Sequence, residues 1–195
     1  MQIAKENPVL AGPGGADFRH VEAWIFDLDN TLYPARADLF AQIDARMSGF
    51  IRKLFGVDAE EAFRIQKAYY RDHGTTLNGL MQVNGIDPEE FLAFVHDIDL
   101  SVLAPDPSLE RAIARLPGKR IVFTNGCGFH AARVLERLSL TAHFDAVWDI
   151  RKLGFRPKPD PQSYRAVLAA KTPDPVREGP NLGRAEAGDR LFDPD

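Results

Sequence analysis

Cysteine is all but missing from these 195 residues: Cys127 stands alone and cannot close an internal disulfide. That removes the disulfide-stapled secreted scaffolds. Long apolar runs are missing too, since no stretch approaches the roughly 18 apolar residues a membrane helix needs. The first sixteen residues contain Glu6, Pro8, Pro13 and three glycines but no apolar segment of the kind a signal peptide carries. Positive charge is not in excess either. With 24 Lys and Arg against 28 Asp and Glu, the net charge is −4, the wrong sign for neutralising a nucleic-acid backbone. These absences lead to the expectation of a cytoplasmic globular protein with no nucleic-acid and no membrane partner, its oligomeric state left open. A content of 45% hydrophobic and 27% charged residues suits that class. The length suits one domain carrying a sizeable insertion.

Within the chain, residues 1–16 read as a flexible tail. Ala23-Trp24-Ile25-Phe26 is a short run of apolar residues that stops at Asp27-Leu28-Asp29-Asn30-Thr31, which predicts a buried strand. Ile121-Val122-Phe123 is a second such run, entered from Pro117-Gly118 and leaving at Thr124-Asn125-Gly126. Phe144 to Trp148 is a third, ending at Asp149. A helix over about His130 to Leu138, with Ala131, Val134, Leu135 and Leu138 on one face, separates the last two. Strand, helix, strand in that rhythm predicts a parallel sheet.

Asp29 and Thr124 are 95 positions apart, whereas a crossover needs only a dozen or so residues. The intervening pattern is helical. Leu39, Phe40, Ile43, Met47, Phe50, Ile51 and Leu54 recur at helix spacing, and Asp58 with Glu61 caps a second helix running to Gly74. Asp87-Pro88-Glu89-Glu90 opens a third helix, and a short fourth starts at Pro107. The expected architecture is an α/β core with a Rossmann-like parallel sheet over 17–34 and 108–170, interrupted by a helical cap over 35–107.

Ligands of an open parallel sheet bind beyond the carboxyl ends of its strands. Asp27 and Asp29 sit at that end of the first strand, and alternate side chains of an extended segment share a face. Two carboxylates placed together either raise one pKa or recruit a divalent cation. Thr124 and Asn125 bring a hydroxyl and an amide to the same end of the second strand. Lys158 brings a point positive charge on the proline-stiffened loop Arg156-Pro157-Lys158-Pro159-Asp160-Pro161. A hard-cation site, a hydroxyl and an ammonium at one edge form a candidate phosphoryl site.

Asp27-Leu28-Asp29-Asn30-Thr31-Leu32-Tyr33, Thr124-Asn125-Gly126 and Lys158-Pro159-Asp160 resemble the first three motifs of the haloacid dehalogenase superfamily, and the long helical insertion is similar to that of its capped members. Phe26 to Pro34, His73-Gly74-Thr75-Thr76-Leu77 and His96-Asp97-Ile98-Asp99 resemble the pyrimidine 5′-nucleotidase branch. The resemblance, over Val21 to Leu168, implies a phosphomonoester hydrolase. It implies Asp27 as nucleophile, forming an aspartyl-phosphate, and Asp29 as general acid and base. It implies Mg²⁺ held by Asp27 and Asp29, and transferring oxygens held by Thr124 and Lys158 with Asn125 and Gly126 beside them. By the same resemblance, an acid at Asp29 marks phosphatases rather than dehalogenases. The implied substrate is a small phosphorylated metabolite, a nucleoside monophosphate of the pyrimidine type. Tyr69, Tyr70, His73, Thr75, Thr76, Asn78, His96 and Asp97 are the cap residues placed to touch it. Another small phosphate ester is the alternative substrate.

Past Leu168 the chain departs from the family pattern. Seven of the 25 residues from Lys171 to Asp195 are Pro or Gly, which reads as irregular or disordered. The strands and fourth acidic motif expected there are absent by pattern; Gly188-Asp189 follows no apolar strand. On this reading the chain is a truncated or frame-altered family member, weakly active or silent, its first strand left with an open edge.

Overall fold

A computed structural model describes residues 17–170. The two tails, and with them Asp189 and the expected loss of C-terminal strands, lie outside the described residues. Three parallel strands, β1 (Ala23–Phe26), β2 (Lys119–Phe123) and β3 (Ala146–Trp148), form a sheet in the order β1-β2-β3. The register pairs Ile25 with Ile121 and Phe26 with Val122 across one boundary, and Phe123 with Trp148 across the other. Asp27 therefore emerges level with Phe123, the last residue of β2, and Thr124 follows one residue farther along. The strand entries are equally close. Gly118 sits at φ +73°, and a Cβ there would lie 2.3 Å from the Glu22 carbonyl oxygen, so only glycine fits that approach.

After β1 the chain forms four successive helices, α1 (Leu39–Phe55), α2 (Ala59–His73), α3 (Thr76–Asn84) and α4 (Pro88–Val95). After them, α5 (Pro107–Ala114) leads into β2, α6 (Gly128–Arg137) connects β2 to β3, and α7 (Pro161–Ala169) follows the Lys158 loop. The caps explain the boundaries. Asp58 accepts from Glu61 N, Asp87 from Glu89 N and Asp106 from Ser108 N, each satisfying a first-turn amide that has no intrahelical acceptor. Sequence patterning does not reveal α3, because Gly74-Thr75-Thr76 also reads as a turn; Thr75 is in fact its N-cap, accepting from Asn78 N.

Apolar packing forms two main clusters. Leu28, Val122, Ala131, Val134, Leu135 and Leu138 join β1, β2 and α6, and Leu39 and Ile43 from the start of α1 belong to the same cluster. Phe50, Ile51, Ala62, Leu77, Leu80, Phe91, Leu92 and Val95 hold the four helices to one another, with Cys127 and Ile150 at their border. Each Val, Leu, Ile or Phe side chain among them, fully buried, contributes roughly 1.5–3 kcal/mol. The segment leaving α4 is tied to α6. Arg133 donates to the His96 and Ile98 carbonyls, and Arg137 to those of Leu100, Ser101 and Leu103. Among the described residues no helix is long and apolar enough to cross a membrane.

Candidate active site

The chain turns sharply as it leaves β1. Leu28, wholly buried, anchors the turn, and its carbonyl accepts from both Thr31 N and Leu32 N while Asn30 takes φ 59°, a left-handed conformation that Asn tolerates. With Leu28 facing the core, its two neighbours part company. The Asp27 side chain is half-exposed; that of Asp29 is nearly covered.

Asp27 meets Lys158. The Lys158 ammonium donates to Asp27 Oδ1 at 2.5 Å and to the Phe123 carbonyl at 2.7 Å, and Thr31 donates its hydroxyl to Asp27 Oδ2 at 3.2 Å. Lys158 is carried into place by Asn125. Asn125 Oδ1 accepts from Lys158 N at 2.7 Å, while its Nδ2 donates to Lys158 O at 3.2 Å. Both peptide groups of the lysine are thus clamped to the end of β2 across 33 positions. Thr124 is buried and accepts from Gly126 N at 2.9 Å.

Asp29 is held differently. Its Oδ1 accepts from the Tyr33 hydroxyl at 2.7 Å and from His130 Nε2 at 2.8 Å. Burial alone would raise this carboxyl, but the hydrogen bond and charge of His130 and the Tyr33 hydroxyl outweigh it, and the net pKa is lowered. The Tyr33 hydroxyl is pushed up by burial and by the Asp29 charge, so it stays a donor. The His130 ring is wholly buried and stacked on the His96 ring, with centroids 4.5 Å apart. His96 Nδ1 faces Cys127 Sγ at 3.2 Å and the Leu92 carbonyl at 3.1 Å. Burial, followed by repulsion from His130, lowers His96 to about 3. Burial raises the Cys127 thiol.

Asp27, Asp29, Thr124, Asn125, Gly126 and Lys158 therefore gather at the carboxyl ends of β1 and β2. His96 joins them indirectly, through His130. The hydrogen bonds of the other cap candidates stay among the helices. Thr75 caps α3, Thr76 donates to the Gln66 carbonyl, and Asn78 to the His73 carbonyl. His73 pairs with Gln82, Tyr69 with Asn84, and Asp97 with Arg46, while Tyr70 is exposed. Tyr33 and His130 were not singled out from the sequence as site residues. Tyr33 follows Asp29 by four positions within one turn, a local hint; His130 lies 101 positions away, where no local pattern connects it.

For a cation, the oxygen donors at this edge are the exposed Asp27 carboxylate and the main chain beside it, because the Asp29 carboxylate is turned onto Tyr33 and His130. Hard oxygens in so small a number suit Mg²⁺, which keeps several waters and shares a phosphate with one or two carboxylates. Among the described residues no group of three or more His, Cys, Asp or Glu side chains forms a closed metal cage. A separate cavity of about 700 Å³ lies behind the turn, lined by Asn30 to Pro34, Val102 to Ala104 and Leu138 among others, and its walls include none of Asp27, Asp29, Thr124 and Lys158.

Phosphate metabolism protein 8 of Saccharomyces cerevisiae is 29% identical over 138 residues, covering 65% of this chain and 42% of the yeast protein; the chain thus spans less than half the length of that relative. The family model for haloacid dehalogenase-like hydrolases matches residues 21–175, from the entry to β1 to beyond α7. With its Asp27–Lys158 pair at the ends of a parallel sheet, the chain belongs to the haloacid dehalogenase-like hydrolases.

Proposed function

We propose that the chain hydrolyses small phosphomonoesters through Asp27, with nucleoside 5′-monophosphates of the pyrimidine type as its substrates. The observation that carries this reading is the ammonium of Lys158 seated on the half-exposed Asp27, beside Thr124 and a separately held Asp29. A carboxylate does not readily approach an anionic phosphate unless positive charge lies between or beside them. Lys158 supplies one such charge. Mg²⁺, held by Asp27 and the Asp29 carbonyl, supplies further neutralisation when bound.

In the first half-reaction a carboxylate oxygen of Asp27 forms a bond to phosphorus as the ester oxygen leaves, taking a proton from Asp29. The negative charge of a bound phosphate raises the Asp29 carboxyl, which favours the protonated form this step uses. In the second, Asp29 takes a proton from water, whose oxygen attacks phosphorus and frees Asp27 and inorganic phosphate. Thr124 and Lys158 hold the nonbridging oxygens. The helices between β1 and β2 act as the cap that excludes water and reads the leaving group.

The test is phosphate release from UMP, CMP and AMP, with Mg²⁺ or with EDTA, by the wild type and by Asp27→Asn. Turnover that needs Mg²⁺, prefers UMP and CMP, and disappears in the variant supports the proposal. Turnover that survives Asp27→Asn overturns it.

A further inference from the structure

Asp29 is held by one oxygen only. Oδ1 accepts from both Tyr33 and His130, whereas Oδ2 makes no hydrogen bond among the described residues. Oδ2 instead looks toward Gly126, where a Cβ would lie 3.7 Å from it, 3.3 Å from Thr124 Oγ1 and 3.2 Å from His130 Cδ2. The unbonded oxygen thus lies on the side of Gly126 and Thr124, at the end of β2, whereas the occupied one is held by the buried Tyr33 and His130.

The holding side is built rigidly. The His130 ring is wholly buried, stacked on His96, and its backbone N–H is directed to Cys127 Sγ. His130 Nδ1 is buried without a partner. Nε2 is the ring nitrogen that meets Asp29 Oδ1, and as an N–H it donates to that oxygen. Tyr33 arrives from the other side, one turn downstream of the carboxylate it grips. Two donors on a single oxygen restrict rotation of the carboxyl about its Cβ–Cγ bond.

We propose that Tyr33 and His130 are positioning residues that pin Asp29 by Oδ1 and thereby assign the exchanged proton to Oδ2. The proposal rests on the phosphatase reading above. It requires that Oδ2–H donate its proton to the departing ester oxygen as the phosphorus–oxygen bond breaks. Loss of either pin lets the carboxyl turn, so proton delivery suffers while phosphate binding by Lys158 and Thr124 does not.

Leaving-group dependence separates this role from a merely structural one. Phenyl phosphate and p-nitrophenyl phosphate have similar size, but phenoxide is the far more basic leaving group and gains much more from a proton. With Mg²⁺ present, kcat/KM, which reports the steps through departure of the alcohol, is measured for both esters in wild type, Tyr33→Phe, His130→Leu and His130→Gln. Melting curves establish which variants fold. The expected result is a loss of about tenfold or more on phenyl phosphate and less than about threefold on p-nitrophenyl phosphate in Tyr33→Phe and His130→Leu, since general-acid catalysis acts on the poor leaving group. His130→Gln, which keeps an N–H of similar reach, restores part of the phenyl phosphate rate. Tyr33→Phe removes a single oxygen atom and keeps the test open if His130→Leu does not fold. Equal losses on both esters, or none on either, in folded variants of an active wild type overturn this inference alone. A wild type that releases no phosphate from either ester or from UMP and CMP, or activity that persists in Asp27→Asn, overturns the phosphatase reading and this inference with it.

Discussion

The ring of His96 lies buried between the Leu92 carbonyl, Cys127 Sγ and the His130 ring, where an imidazolium would lose its water and face a second histidine. These surroundings lower its pKa to about 3, whereas in an unfolded chain the ring takes up its proton near the ordinary value of about 6.5. Between those two values unfolding binds a proton that the folded protein refuses. Its contribution to stability is therefore complete above about 6.5 and is lost as pH falls toward 3. Asp29, lowered by His130 and Tyr33 against the opposing effect of burial, pulls the same way at more acid pH. The melting temperature should fall between pH 7 and pH 5, and fall less in His96→Gln. A melting temperature that is flat or rising over that interval would show that His96 is not held neutral. Residue by residue, the groups that gather at this edge were legible in the sequence because Asp27, Asp29, Thr124 and Lys158 each lie just past a strand or on a stiffened loop. The contacts that hold them were not, since Asn125, itself legible at the end of the second strand, clamps Lys158 33 positions away, and His130 reaches Asp29 across 101 positions.

At the scale of elements, α2 and α3 meet across Gly79. A Cβ at this position would lie 2.4 Å from Cβ and Cγ of Tyr69, so the two helices approach as closely as they do only because that carbon is absent. Alanine is favoured over glycine in a helix by about 1 kcal/mol, but forcing an extra carbon into a packed interface costs about 1–3 kcal/mol. The clash here is against the root of an aromatic side chain, which cannot swing away, so the second effect wins. Gly79→Ala should lower the urea midpoint, corresponding to a loss of up to about 2 kcal/mol by the same balance. A rise in the midpoint would mean that the helices separate without cost. Most helix starts were legible because an N-cap is local chemistry, as at Asp58, Asp87 and Asp106. The start of α3 was not, because Thr75 after Gly74 suits a turn equally well, and only packing of Leu77 and Leu80 against α2 and α4 decides between them.

Across the whole molecule, the inserted helices are joined to the sheet by apolar packing and by a few polar ties. Arg151, in the loop after β3, reaches Glu89 in the first turn of α4 with both Nε and Nη2. The two side chains are 30% and 49% exposed, which places the pair in the range of about 0–1 kcal/mol where screening by water and salt removes most of the attraction. Glu89→Ala should therefore change stability by less than about 1 kcal/mol, and less still in 0.5 M salt, as measured by urea unfolding. A loss above about 2 kcal/mol would identify the pair as a closed latch. The shared packing of Leu39 and Ile43 with Leu28 and Val122 carries more of the attachment. It continues the core into the first turns of α1.

The sequence by itself determined the α/β class, the parallel order of strand, helix and strand, the helical insertion, and the edge at which Asp27, Asp29, Thr124 and Lys158 collect. Each of these follows from local patterns: apolar runs ended by acids, amphipathic spacing, caps and a proline-rich loop. Tertiary structure alone decided how the edge is wired. It set Lys158 on Asp27 through the Asn125 clamp, turned Asp29 onto Tyr33 and His130, and committed Thr75, Thr76 and Asp97 to hydrogen bonds among the helices or with their exit segment. The physical reason is range. Hydrogen bonds between residues tens of positions apart are dictated by strand register and helix packing, which no short stretch of sequence encodes.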